Sequence, residues 1–137
     1  MKELVLDTNI FIRYLIEDIS FQYKESRKIF EAIENGTLKG LVSILVVNET
    51  IWILENYYEI KRSVYIPKLL QIFALKNLKI IEIAKEVLSL ILKSMEASRL
   101  DFTDLYLLHT SKKEKIASFD KDLKSFNTTT LSFIAKK

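Results

Sequence analysis

The sequence contains no cysteine, which excludes disulfide frameworks, thiolate zinc sites and cysteine nucleophiles. Glycine is almost as scarce. Gly36 and Gly40 are the only two, and neither fits a phosphate-cradling loop or a dinucleotide fingerprint. With a single proline, Pro67, the chain is too sparsely punctuated for a turn-rich β-sandwich or barrel. Long apolar runs are missing too. The longest stretch, Leu41 and Val42 followed by Ile44 to Val47, falls far short of the ~20 residues that a membrane span needs. The amino-terminal apolar run is broken by Asp7 and does not read as a signal peptide. A cytoplasmic protein without membrane association is expected.

What remains is an ordinary globular composition. The 137 residues are 49% hydrophobic and 28% charged, a balance that argues against disorder. A chain of this length buries roughly 68% of its unfolded surface without a staple. The net charge of +3 is mild, but its distribution is uneven. Residues 1–60 carry 6 basic and 10 acidic side chains, whereas residues 61–137 carry 15 and 8. The basic half includes Lys112, Lys113, Lys115, Lys121 and Lys124. Such a surface suits a polyanion, commonly nucleic acid, or is simply a solvated lysine-rich face.

Periodicity and punctuation predict alternating strands and helices. Leu4 to Leu6 reads as a strand buried on both faces, with a helix over Ile10 to Glu17. A second helix spans about Ser20 to Asn35 and is stopped by Asn35-Gly36. Gly40 to Ser43 is a strand, followed by a helix to about Tyr58. Ser63 to Leu75 is helical, provided that Pro67 lies in its first turn. Lys79 to Glu82 is a strand, Ala84 to Ser98 and Phe102 to Lys113 are helices, and Lys115 to Phe119 and Thr129 to Leu131 are strands. The expected architecture is a single α/β domain over residues 1–137, with helices on both faces of a central parallel sheet of four or five strands, giving three α/β/α layers.

The placement of the acids is the most informative feature. Asp7 ends the first strand and Asp120 ends Ile116 to Phe119, and the carboxyl ends of parallel strands are where ligand sites form. Glu49 shares its helix face with Leu45, Val46, Trp52 and Ile53, and Asp104 with Leu100, Leu107 and Leu108. Charged groups on apolar faces are costly unless compensated, and clustered carboxylates repel one another. A hard divalent ion with oxygen ligands is the natural compensator, and such a site suits phosphodiester hydrolysis. Plain structural roles stand beside this reading. Asp7 and Asp101 are suitable helix caps, Asp104 suits a helix amino terminus, and Asp120 and Asp122 suit a cap and a partner for lysine. His109, five positions beyond Asp104, points elsewhere. Trp52, Tyr57, Tyr58 and Tyr65 read as core or interface residues more readily than as base-stacking platforms.

Taken in order, Leu6-Asp7-Thr8-Asn9-Ile10-Phe11, Glu49 within Val46-Val47-Asn48-Glu49, Asp101-Phe102-Thr103-Asp104 and Ser118-Phe119-Asp120-Lys121-Asp122-Leu123 resemble a PIN domain. Within that family the chain is most similar to the VapC toxins of toxin–antitoxin pairs. The resemblance implies a Mg2+- or Mn2+-dependent endoribonuclease that uses one or two ions. It maps the catalytic acids to Asp7, Glu49, Asp104 and Asp120, and accessory metal-site acids to Asp101 and Asp122. Thr8, Asn9 and Ser118 match polar positions that support such a site, and Arg99, Lys112 and Lys121 are expected to guide the RNA backbone. The resemblance further implies a homodimer silenced by a VapB-like antitoxin, with Tyr57, Tyr58 and Tyr65 as candidates for its groove. Two other members of the family remain as alternatives, an RNA-processing nuclease that is no toxin and a catalytically silent binding module. The sequence departs from the common pattern after Asp104, where Leu105, Tyr106, Leu107, Leu108 and His109 replace small residues. Ser118 stands where threonine is frequent, and Leu123 where phenylalanine is.

Overall fold

The computed structural model describes residues 1–111, 116–123 and 128–129, the last two as backbone. The elements run β1 (Lys2–Val5), α1 (Thr8–Leu15), α2 (Ser20–Glu34), β2 (Leu38–Val42), α3 (Ile44–Asn56), α4 (Arg62–Phe73), β3 (Leu78–Ile80), α5 (Lys85–Ala97), α6 (Phe102–Thr110), β4 (Ile116–Ala117) and β5 (Thr128–Thr129), with a 3-10 turn at Lys121–Leu123. The fold is mixed α/β, and the chain comprises two compact units, Met1–Ser89 and Leu90–Lys137. Among the described residues no helix is long and apolar enough to cross a membrane.

The first unit is organised by a parallel sheet in the order β1-β2-β3. Val5 pairs with Leu41 and Leu41 with Lys79, so all three strands point their carboxyl ends to one edge. β2 holds the middle. Its Leu38, Gly40 and Val42 are buried in alternation, as a strand's period of two requires. Gly40 is there because of space. A Cβ at that position would lie 2.7 Å from Leu78 Cδ1, 2.8 Å from Ile33 Cδ1 and 3.2 Å from Leu6 Cδ1. Helix α2 thus packs its Ile33 directly onto the strand backbone.

Two sequence expectations are corrected in this unit. β1 is not buried on both faces, since Leu4 and Val5 are 44% and 69% exposed. Among the described residues it is an end strand of the ladder, and only Leu6, one residue beyond it, enters the core. Pro67 lies in the second turn of α4 and not the first. The missing N–H and ring clash of an interior proline cost ~3 kcal/mol. Burial of Tyr65, Ile66, Leu69, Ile72 and Phe73 on the same helix outweighs that cost, at ~1.5–3 kcal/mol for each large apolar side chain.

Other local signals act as read. Helix α2 ends in a Schellman motif: Gly36 adopts φ +86°, its N–H donates to Ile33 O at 3.3 Å, and Thr37 N–H donates to Ala32 O at 3.0 Å. The aromatic core gathers around Phe11, whose ring lies 5.5 Å from Phe30 and 5.8 Å from Phe73. At the end of α1, Arg13 donates to Gln22 at 2.7 Å, Asp18 at 3.1 Å and the Tyr58 hydroxyl at 3.2 Å. This ties α1 to the exit of α3.

The second unit contains α6 and a separate two-stranded parallel ladder, in which Ile116 pairs with Thr128 and Ala117 with Thr129. One sheet of four or five strands was expected. The described residues instead form a three-stranded sheet and a two-stranded ladder. β4 is only two residues long, because Ser118 already turns the chain through its side chain. α6 stops at Thr110, with Ser111 extended. The expected ends of several elements, at Lys112, Lys113, Lys115 and residues 130–131, lie outside the described residues.

Replacing Gly36 by alanine places a Cβ on a residue with positive φ and is expected to cost about 1–2 kcal/mol. Urea unfolding checks this as a lower midpoint with an unchanged slope.

Candidate active site

At the carboxyl edge of the three-stranded sheet, β1 hands over to α1 through Leu6 and Asp7. Leu6 N–H still donates to Leu41 O at 2.8 Å, and Asp7 then occupies the N-cap with extended backbone. Its carboxylate makes no capping hydrogen bond, so the plain capping role does not account for it. Thr8 is buried and Asn9 exposed. At the same edge β2 gives way to Ser43, the N-cap of α3, whose Oγ accepts from Leu45 N–H at 3.2 Å. Glu49 follows one and a half turns into α3.

Here the expected environment of Glu49 is overturned. The buried stripe of α3 is Ile44, Val47, Thr50, Ile51 and Leu54. Glu49 is exposed, and its neighbours Leu45 and Trp52 are 74% and 62% exposed. The helix is apolar nearly all round, so its composition does not say which face turns inward. Burial is thus no argument for a special role of Glu49. What distinguishes it is a carboxylate flanked by uncovered apolar side chains.

In the second unit Asp101 and Asp104 form a reciprocal capping box at the start of α6. Asp104 N–H donates to Asp101 Oδ1 at 2.8 Å, and Asp101 N–H donates to Asp104 Oδ2 at 3.5 Å. The loop after β4 is equally self-ordered. Asp120 N–H donates to Ser118 Oγ at 2.9 Å and Asp122 N–H donates to Asp120 Oδ1 at 2.9 Å, fixing the Asp120 carboxylate between its neighbours. Capping therefore explains Asp101 and orients Asp104, but it does not remove their mutual repulsion. Partial burial first, then the charge and hydrogen bond of Asp101, and more weakly the charge of Asp120, hold the Asp104 carboxyl above the ordinary range. The second unit thus brings Asp101 and Asp120 within electrostatic reach of Asp104.

A profile of the PIN domain family matches residues 4–128. The chain belongs to the PIN domain family. PIN domains are three-layer α/β/α folds and generally metal-dependent nucleases that act on RNA. No curated protein and no solved structure gives a significant match.

The donor set of this PIN domain fits a hard divalent ion in chemistry, being made of carboxylate oxygens alone, and the repulsion at Asp104 is of the kind a cation relieves. Among the described residues, no three histidine or acidic side chains are gathered closely enough to form a ready cage. Of the expected cationic guides, Arg99 and Lys121 are exposed, and Lys112 lies outside the described residues. Tyr65 is 1% exposed, with its hydroxyl 2.9 Å from Glu55, and is a core residue unsuited to lining a partner groove. Tyr57 is exposed, and Tyr58 donates to Asp18 at 3.2 Å. His109 lies 3.4 Å from Ser94.

One residue escaped the sequence reading although its signal was present. Glu82 ends the third strand segment just as Asp7 and Asp120 end theirs, and its carboxylate binds the start of α3.

Because its folded pKa is raised, Asp104 contributes stability below the ordinary carboxylate pKa, and that contribution is lost as pH rises through the folded value. Asp101→Asn keeps a good cap while removing the main neighbouring charge. It is expected to lower the Asp104 pKa, read by carboxyl NMR titration, and to flatten this pH-dependent loss of stability.

Proposed function

We propose that this PIN domain is a divalent-metal-dependent endoribonuclease, and that it acts in the cytoplasm as the toxin of a VapBC-type pair. Asp7, Glu49, Asp104 and Asp120 would hold one or two Mg2+ or Mn2+ ions, with Asp101 and Asp122 as accessory acids. The observation that carries this reading is Asp104, a partly buried carboxylate at a helix start, held above its ordinary pKa with two further carboxylates in reach. When bound, a divalent ion supplies an activated water and charge stabilisation for hydrolysing a phosphodiester.

The chain's own residues do the positioning. The capping box orients Asp104, the turn at Ser118 and Asp122 orients Asp120, and the Asp7 carboxylate, at the α1 N-cap, makes no capping hydrogen bond. Thr8, Asn9 and Ser118 support these acids. Arg99, Lys112 and Lys121 guide the RNA backbone by charge, a contribution that weakens with salt. A VapB-like antitoxin and a second copy of the chain are the expected partners, and the exposed apolar side chains of α3 are available to a protein surface.

Purified protein freed of partners, incubated with total RNA and Mg2+ or Mn2+, is expected to release discrete fragments. EDTA abolishes them, and Asp7→Asn or Asp104→Asn reduces cleavage by at least about 100-fold with circular dichroism unchanged. Metal-independent fragments, or full activity in either variant, would overturn the assignment. Expression alone should arrest growth, with rescue by a small neighbouring gene product. Cleavage without that arrest identifies an RNA-processing nuclease, and well-folded protein that binds RNA without cutting it identifies a silent module.

A further inference from the structure

Two residues beyond β3, Glu82 reaches back to the start of α3. Its Oε2 accepts the Ser43 hydroxyl at 2.6 Å and its Oε1 accepts the Ile44 N–H at 2.7 Å. Ser43 Oγ in turn accepts the Leu45 N–H at 3.2 Å. A single carboxylate therefore holds two consecutive residues lying 38 and 39 positions earlier in the chain, and through Ser43 it reaches a third. It does so at the positive end of a helix, where an anion is favoured. Burial alone would raise the Glu82 pKa, but the bonds from Ser43 and Ile44 outweigh it and hold the group below the ordinary range. The clamp is thus charged at neutral pH.

Glu49 has little else to fix it. Its own side chain and its helix neighbours Leu45 and Trp52 are exposed, so the direction of its carboxylate is inherited from the frame of α3. The opposite face of that frame is held by the buried stripe from Ile44 to Leu54. Its far end is held by Glu55, which accepts from Tyr65 at 2.9 Å and Arg62 at 3.2 Å. At the near end, Glu82 meets the first turn. Glu49 stands five residues past Ile44, about 7.5 Å along the axis, so a loosened first turn changes both its height and its phase.

We propose that Glu82 is a positioning residue, which clamps Ser43 and Ile44 and so sets the direction from which Glu49 presents its carboxylate to a divalent ion. This rests on the reading of Glu49 as a metal ligand. Glu82 is exposed, but both its oxygens are engaged by the start of α3, so its role in this reading is to hold the helix rather than to ligate. Outer partners of this kind typically govern metal affinity by 10–100-fold.

The test is Mn2+ binding followed by electron paramagnetic resonance, with thermal unfolding recorded for each protein. Glu82→Ala is expected to weaken Mn2+ binding by about 10–100-fold at temperatures where it remains folded. Glu82→Gln, which retains an acceptor for Ile44, is expected to stay close to wild type. Ser43→Ala removes one donor and leaves Glu82 intact. It serves as the second variant if Glu82→Ala does not fold, and is expected to weaken binding in the same direction. Unchanged Mn2+ affinity in Glu82→Ala, with only a lower melting temperature, would mean that the clamp merely stabilises the fold and would overturn the inference alone. Equal losses in Glu82→Gln and Glu82→Ala would make Glu82 a ligand, which also overturns it. Absence of Mn2+ binding by the wild-type protein overturns the reading of Glu49 and this inference with it.

Discussion

The first unit depends on the placement of β2. Hydrogen-bonded on both sides, it is the strand against which the others are registered, and its backbone is where α2 comes nearest the sheet. A side chain there would push against the three methyl groups that converge on Gly40. Because β2 is fixed, its exit at Val42 and Ser43 is fixed, and with it the origin of α3. The same parallel register brings the exits of β1 and β3 to that edge, so Asp7, Ser43 and Glu82 leave the sheet on one side. Backbone geometry thus sets the position of this end of the candidate site before any side-chain chemistry is considered.

The acids themselves are held in two different ways. Asp101, Asp104 and Asp120 are oriented by short local hydrogen bonds, each spanning two or three residues. These bonds satisfy backbone N–H groups and leave charge repulsion in place, which adds to partial burial in holding the Asp104 carboxyl above its ordinary range. Glu49 is oriented by its helix, and the helix start by a contact that spans nearly forty residues. A site assembled in this way is not one optimised for stability alone. Carboxylates held near one another work against folding, and such tension is common where groups are reserved for a ligand.

Much of the fold was legible because its signals are local. Asn35-Gly36 announced the end of α2, and the alternation of strands with helices announced the parallel pairing. The failures have physical causes. β1 looked like an interior strand because Leu4, Val5 and Leu6 are all apolar, yet an end strand leaves part of such a run uncovered. Pro67 was expected in a first turn because local propensity was weighed without the tertiary packing that overrides it. In the candidate site, Asp7 and Asp120 follow strands and Asp101 and Asp104 open a helix, as anticipated. The environment of Glu49 was not, since a helix apolar all round has no readable inner face. Glu82 shares the strand-end position of Asp7 and Asp120, but its partner, 38 residues away, leaves no periodic trace in sequence.

The exposed outer face of α3 has a practical consequence. Trp52 is the only tryptophan in the chain, and it stands in solvent one turn from Glu49. All indole emission from this protein therefore originates beside that carboxylate, and none from the core. Its fluorescence reports the polarity of the α3 surface directly, without a label. Coverage of that face by any large molecule moves the emission toward the blue, whereas an event confined to the second unit that leaves the face uncovered is optically silent. The molecule carries its own position-specific probe.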